Sequence, residues 1–305
     1  MPDVELQPLL TTVAGSYPSD GLPPRRAIQR AVEDQIAAGV DLISDGQMRG
    51  DMIATFASRI SGFRLADDGI WEIEAALDSP AEPATVADYA FARGLAGRRA
   101  EVKGIVTGPI TLALACRVLP SAPYSAPDDP ALLLKLAELQ AREVAALVAA
   151  GARVVQVDEP SLRTALARRV SPELAYDALR ALAALPSMPV LHACGDIRDI
   201  AEELLILPFA VLDIENTRIA NLAAMDPDEL EFATMRVSVG CVDTQSAEIE
   251  TIDVIRERIQ AAASILPPER LWVSPDCGLR LHTREVAREK LARMVAAAKD
   301  VRAEL

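Results

Sequence analysis

Residues 154–157, Val154-Val155-Gln156-Val157, run directly into Asp158-Glu159-Pro160, and a helix-like segment at 171–185 then leads to the next short run, Val190-Leu191-His192. A short, nearly continuous apolar run is what a strand covered on both faces requires, and the segment between the two runs is long enough for the helix of a parallel crossover. Working outward, the same unit recurs. Further runs at 10–14, 40–44, 102–107, 210–214, 236–239 and 271–274 raise the total to eight, with helix-like stretches at 25–38, 130–150, 199–205, 226–233, 248–263 and 284–303. Several of these stretches begin with a start signal, such as Pro172 after Ser171 or Pro227 after Asp226. Eight strand–helix units predict an α/β chain folded as a (β/α)8 TIM barrel, a single domain over residues 1–305. An open doubly wound sheet is the alternative. The long interval between the second and third runs predicts an elaborated loop, hairpin-like at 62–73, broken at 79–83 and helix-like at 86–99.

The chain has 305 residues, and 31 Lys and Arg against 45 Asp and Glu leave a net charge of −14. With no basic block and few aromatics, it lacks the electrostatic footprint that a phosphate backbone demands, so nucleic acid is not an expected partner. No apolar run has the length of a membrane span, and residues 1–12 lack the pattern of a secretory leader, which predicts a cytoplasmic protein without a membrane partner. The four cysteines, Cys116, Cys194, Cys241 and Cys277, do not have the spacing of a disulfide framework and are expected to be reduced.

In a barrel the chemistry sits where strands end. Reading those ends in order gives Gly15-Ser16, Asp45-Gly46, Thr107-Gly108, Asp158-Glu159, His192 to Cys194, Glu215-Asn216, Asp243 and Asp276-Cys277. His192 and Cys194 stand two apart on a strand and project to the same side, so both can reach one ion. Glu215 and Cys277 follow at later strand ends. Together the four make a nitrogen, sulfur and oxygen set that suits tetrahedral zinc and disfavours magnesium or calcium. Two thiolates and a carboxylate on a dication leave an electron-rich centre, better matched to thiolate attack than to water activation. Taken singly, each residue has a plainer reading: Cys194 as a buried structural cysteine beside an unrelated His192, Cys277 as a small core residue and Glu215 as a surface carboxylate.

Seven strand-end motifs together resemble a known family. They are Thr-Thr-Val-Ala-Gly-Ser-Tyr-Pro (11–18), Ile-Ser-Asp-Gly-Gln-Met-Arg-Gly-Asp-Met (43–52), Thr-Gly-Pro-Ile-Thr (107–111), Gln-Val-Asp-Glu-Pro-Ser-Leu (156–162), Leu-His-Ala-Cys-Gly (191–195), Asp-Ile-Glu-Asn (213–216) and Ser-Pro-Asp-Cys-Gly-Leu-Arg (274–280). The chain resembles the catalytic barrel of cobalamin-independent methionine synthase, and more closely the single-barrel core enzymes of methanogens and some anaerobic bacteria. The resemblance implies methyl transfer to the thiol of homocysteine, with zinc held by His192, Cys194, Glu215 and Cys277. It implies that Ser16 meets the amino-acid carboxylate, that Asp158 pairs with the ammonium, and that Gln47 and Glu159 complete the substrate site. Gln47 stands where the family has a Glu, so Asp45 is the alternative source of that charge and joins Asp158 as an expected catalytic carboxylate. The second barrel that folate-using relatives carry at the amino terminus has no counterpart in this sequence.

Two departures bear on the methyl donor. The family's folate users have a Trp where Ala115 stands and a His where Asp243-Thr244-Gln245-Ser246 has Gln245. Methyl transfer from the amine of a methyltetrahydrofolate needs a proton for the leaving group, whereas a methylcorrinoid leaves as cobalt(I) without one. These residues favour a methylcorrinoid donor, presented by a methyl-corrinoid protein, over methyltetrahydrofolate. Transfer to another small thiol such as coenzyme M is a further alternative, and a zinc-storing or corrinoid-docking protein is the non-enzymatic one. His282 is expected as a solvated loop residue or a donor contact, Cys116 and Cys241 as core thiols, and the turn 48–51 either as a donor contact or as a loop former.

Overall fold

A computed structural model describes residues 7–168 and 170–305; residues 1–6, part of the stretch read above for a leader, and residue 169 lie outside the described residues. The strands are β1 (Leu10–Thr11), β2 (Leu42–Ile43), β3 (Ser61–Leu65), β4 (Trp71–Asp78), β5 (Glu101–Val102), β6 (Gly104–Thr107), β7 (Arg117–Val118), β8 (Val154–Asp158), β9 (Met188–Ala193), β10 (Val211–Ile214), β11 (Arg236–Val242) and β12 (Leu271–Pro275). Seven of them form one parallel sheet in the order β1-β12-β11-β10-β9-β8-β6. The strands β2 and β5 pair in parallel as a separate ribbon, and a lone parallel bridge joins Thr12 to Leu42. This is an α/β fold consistent with a TIM-like barrel, and each of the eight apolar runs contains a strand. Among the described residues no helix is long and apolar enough to cross a membrane.

The alternation of side chains sorts each strand into two faces. One face, with Val155, Val157, Leu191, Ala193, Leu212, Ile214, Val237, Val239 and Val273, belongs to the main hydrophobic core, which includes buried residues of the helices Pro24–Ala38, Pro130–Ala149, Pro172–Ala183, Ile252–Ala263 and Arg284–Glu304. The other face begins with a separate apolar cluster of Leu10, Leu42, Val154, Val190, Val211 and Trp272. Two residues further along the same strands the character changes completely. Thr12, Ser44, Gln156, His192, Asp213 and Ser274 are all buried and all polar, as are Lys103, between β5 and β6, and Ser238 of β11. An apolar plug at the amino ends therefore supports a polar layer, and the site is built on that layer.

In the long interval after β2, β3 pairs antiparallel with β4, and β7, which follows β6, adds to β4 in parallel to complete a separate three-stranded sheet. Helices Met52–Ala57 and Val86–Ala96 flank the β3–β4 pair in sequence. Asp51 starts the first of these by accepting from the amides of Ile53 and Ala54, each at 2.8 Å.

Candidate metal and substrate site

Parallel register sets Asp158, His192, Asp213 and Ser238 level with one another on β8 to β11. His192 Nδ1 lies 2.7 Å from Asp213 Oδ2, and Asp213 Oδ1 accepts from the Ser274 hydroxyl at 2.9 Å. Ser238 in turn donates to Ser274 at 3.0 Å. A carboxylate against Nδ1 keeps a proton on that nitrogen, so Nε2 is the one that would give up its proton and serve as a ligand if a metal bound. Nε2 lies 2.8 Å from Cys194 Sγ, which is 3.9 Å from Cys277 Sγ. The ligand atoms of His192, Cys194 and Cys277 all fall within 4.8 Å of one another.

These three groups share protons. The hydrogen bond from Cys194 and the nearby imidazole hold Cys277 well below the usual thiol range, whereas the same bond and burial push Cys194 up. Burial pulls the His192 imidazole down, but the charge near Cys194 and the bond to Asp213 outweigh it and hold the group well above its ordinary value. A thiolate is thus stabilised at the centre, which is the form that binds a metal.

Glu215, the fourth expected ligand, is not among the residues whose ligand atoms lie within 4.8 Å of one another. Its carboxylate is partly buried, which raises its pKa; the Gly195 amide opposes the shift and the Cys277 charge adds to it. The residue therefore stands beside the trio without joining it. Two residues that sequence reasoning gave no role hold these turns in place. The Asn221 amide donates to the carbonyls of Gly195 and Glu215, each at 2.8 Å, and Asp276 accepts from the Asn216 amide at 2.8 Å and from the Thr217 hydroxyl.

A cavity of about 400 Å³ opens beside the trio, and Ser16, Asp45, Gln47, Asp158, His192, Cys194 and Cys277 all line it. Ser16 reaches it because Gly278 has no side chain: a Cβ there would lie 2.0 Å from Ser16 Oγ. Asp158 accepts from Gln156 Nε2 at 2.6 Å and from Gln47 Nε2 at 3.3 Å. Burial raises its pKa, and His192, Gln156 and Lys103 oppose the shift. Burial also pushes Asp45 up to about 6, against the Gln47 amide that donates to it at 2.9 Å. Gln47 sits in the left-handed region at φ 52°, which turns its side chain back onto Asp158.

Glu159, expected in the substrate site, is not among the residues that line the cavity. Its carboxylate faces the first turn of the helix Pro109–Leu114, accepting from the amides of Ile110 and Thr111 and from the Thr111 hydroxyl. It is spent on satisfying a helix terminus. The turn 48–51 and the segment after it wall the far side of the cavity, with Met48, Met52, Phe56, Thr85 and Tyr89. Arg49 and Asp88, also on that wall, pair with each other. His282 Nε2 lies 2.9 Å from the Thr244 carbonyl and is not among the lining residues, while Cys116 and Cys241 are buried.

A parallel α/β fold carrying an imidazole–dithiol cluster that could hold a metal ion, at the carboxyl ends of its strands, has the layout of an enzyme. The sequence profile of the cobalamin-independent synthase catalytic domain matches residues 15–300. The chain belongs to the family of the catalytic domain of cobalamin-independent methionine synthase, and it is a methyltransferase. It is 36% identical to a methionine synthase of Methanothermobacter thermautotrophicus over 95% of this chain and 99% of that protein. A 5-methyltetrahydropteroyltriglutamate–homocysteine methyltransferase of Nitratidesulfovibrio vulgaris is 33% identical over 92% of this chain, which spans 37% of that longer protein. A solved B12-independent methionine synthase from Shewanella, in complex with selenomethionine, superposes with a TM-score of 0.85 over 98% of this chain and 99% of that one at 20% identity, a likeness of fold.

Membership overturns the expected methylcorrinoid donor and, with it, the methyl-corrinoid protein partner, because the family works without cobalamin. The inference from Ala115 and Gln245 failed for a physical reason. Protonation of a leaving amine needs an acid of suitable pKa, and no particular side chain has a monopoly on that task.

Proposed function

We propose that this chain, residues 1–305, is a single-domain cytoplasmic enzyme whose strands close as a (β/α)8 barrel, and that it transfers the methyl group of a 5-methyltetrahydropteroyl glutamate to homocysteine, giving methionine. Closure is supported by the Thr12 to Leu42 bridge, by the β2–β5 pairing, and by the passage of β5 through Lys103 into β6. The observation that carries the function is the convergence of His192, Cys194 and Cys277 at one cavity.

The donor chemistry of that trio fits zinc: two sulfurs and an imidazole nitrogen, the ring oriented by Asp213. Glu215, whose carboxylate feels the charge of Cys277, would be the fourth group to hold the ion. Bound there, zinc would lower the pKa of the homocysteine thiol enough to keep it a thiolate at neutral pH. The chain's own residues do the rest. Ser16 binds the substrate carboxylate through its hydroxyl and backbone, and Asp158 pairs with the ammonium. Gln47 carries no charge and acts by holding Asp158, so the second negative charge on that wall belongs to Asp45. Fixing the amino-acid head at one end leaves the sulfur a single approach to the methyl group, which converts a two-body encounter into a positioned one. The wall formed by Met48, Met52, Phe56 and Tyr89 offers an apolar surface to the ring of the donor.

The test is direct. Zinc-loaded protein given homocysteine and 5-methyltetrahydropteroyltriglutamate should form methionine in many turnovers, and a protein that binds both yet forms none would overturn the reading.

A further inference from the structure

We infer that Lys103 is a positioning residue that acts through Gln156 on Asp158, and so selects thiols that carry an ammonium group. The inference rests on the proposed function for the identity of the substrate and deepens it. Lys103 lies between β5 and β6 with 3% of its surface exposed, and no step above uses it. Its Nζ donates to Gln156 Oε1 at 2.5 Å, to Thr12 Oγ1 at 3.2 Å and to the Val13 carbonyl. All three partners are acceptors, as an ammonium requires.

The consequence lies in the Gln156 amide, whose two ends are chemically opposite. An ammonium can only donate, so Gln156 must turn its oxygen towards Lys103, and its NH2 is then directed to Asp158 Oδ1 and the Ala14 carbonyl, each at 2.6 Å. Without the lysine the amide is free to rotate, and Asp158 loses a fixed donor on one oxygen. The other oxygen receives only the longer bond from Gln47, at 3.3 Å. Lys103 also supplies charge. Burial lowers its pKa to about 8, with Asp213 and Asp158 pulling it back up, so it stays cationic at neutral pH between the two carboxylates. A cation beneath Asp158 favours the ionised carboxylate, and the ionised form is the one that can pair with a substrate ammonium.

A lysine that merely held the strands together would weaken every ligand of the cavity alike. A lysine that orients Asp158 weakens only ligands that use Asp158. Homocysteine and 4-mercaptobutanoate share the thiol, the chain length and the carboxylate, and differ in the ammonium alone. Calorimetric titration of both into zinc-loaded wild-type protein, Lys103→Met and Gln156→Leu gives the ratio of the two affinities for each protein. The expected result is a preference for homocysteine that falls by about tenfold or more in both variants, the scale of a hydrogen-bonded charge. Gln156→Leu keeps the lysine and its other two partners, so it carries the test if Lys103→Met does not fold. An unchanged ratio in a folded variant overturns the inference. Wild-type protein that binds neither thiol through the metal site would instead overturn the proposed function, so the two failures are distinguishable.

Discussion

The two ends of the same six strands make opposite use of the same geometry. At the amino end Leu10, Leu42, Val154, Val190, Val211 and Trp272 form an apolar plug; two residues later, Thr12, Ser44, Gln156, His192, Asp213 and Ser274 form a polar layer. Both sets are buried and project to the same side of their strands. What differs is who satisfies them. The plug needs only close packing, whereas every group in the layer needs a partner, found partly within the layer, as Lys103 with Gln156, His192 with Asp213 and Asp213 with Ser274, and partly on nearby backbone carbonyls, as Ser44 with Gly15 and Thr12 with Leu42. Burial without such pairing would cost each group a desolvation penalty, so the polar layer works as a unit or not at all. Stability and chemistry are thereby kept two residues apart on one strand, in line with the division between the two faces of a barrel.

That division is tested hardest by substitutions that should damage one end and spare the other. Cys277→Ala removes a ligand of the trio and should reduce methionine formation to background, with less than one zinc retained per chain by atomic absorption and little change in Tm. Wild-type turnover with full zinc content would break the assignment. Trp272→Ala, in the plug, should do the reverse. It empties a large buried volume and should cost roughly 3–5 kcal/mol in a denaturant titration, while the surviving folded protein binds zinc as before. A variant that loses zinc affinity in proportion to its stability would show that plug and layer are a single cooperative unit.

The legibility of the sequence followed the same division. The apolar runs were readable because parallel strands are apolar on both faces, and each of the eight contains a strand. His192, Cys194 and Cys277 were readable because their residue types are rare and lie at strand ends. Residues defined by register rather than type were not. Asp213 was visible only as a carboxylate within an apolar run, and its bond to His192 depends on the two standing side by side in the sheet. Lys103 carried no signal at all, because its partners Thr12 and Gln156 lie 91 and 53 residues away. Glu159 entered the expected substrate site through the family resemblance; it follows the last residue of β8, and its carboxylate faces the amides of Ile110 and Thr111. The helices Met52–Ala57, Pro109–Leu114 and Leu162–Arg168 are too short to display a full amphipathic period. The donor was misjudged because it was argued from two side chains that are missing rather than from any that are present.

A smaller effect separates the metal's ligands from the groups that orient them. Asp213→Asn keeps the shape of the residue and removes its charge, so His192 loses the partner that fixes its tautomer. Zinc affinity measured against a competing chelator should fall by about 10- to 100-fold, and the zinc-loaded enzyme at saturating metal should recover much of its turnover. Unchanged affinity would mean that the Ser274 and Ser238 hydroxyls, not Asp213, hold the ring in place.

The subtlest test concerns Asp45, whose carboxyl is pushed up to about 6 from an ordinary 3.8, mainly by burial. A carboxyl whose pKa is higher folded than unfolded binds its proton more tightly in the fold. Its ionisation therefore destabilises the native state progressively as pH rises from about 4 to 6, and by a constant amount above that. At about 1.4 kcal/mol per pH unit the total is on the order of 3 kcal/mol. Asp45→Asn should remove that slope from the pH dependence of unfolding, making the variant's stability profile flatter between pH 4 and 6. The same substitution should weaken homocysteine binding above pH 6, where wild-type Asp45 is ionised, and have little effect below it. A loss of affinity equal at pH 5 and pH 8 would place Asp45 among the groups that only shape the cavity, leaving Asp158 alone to meet the ammonium.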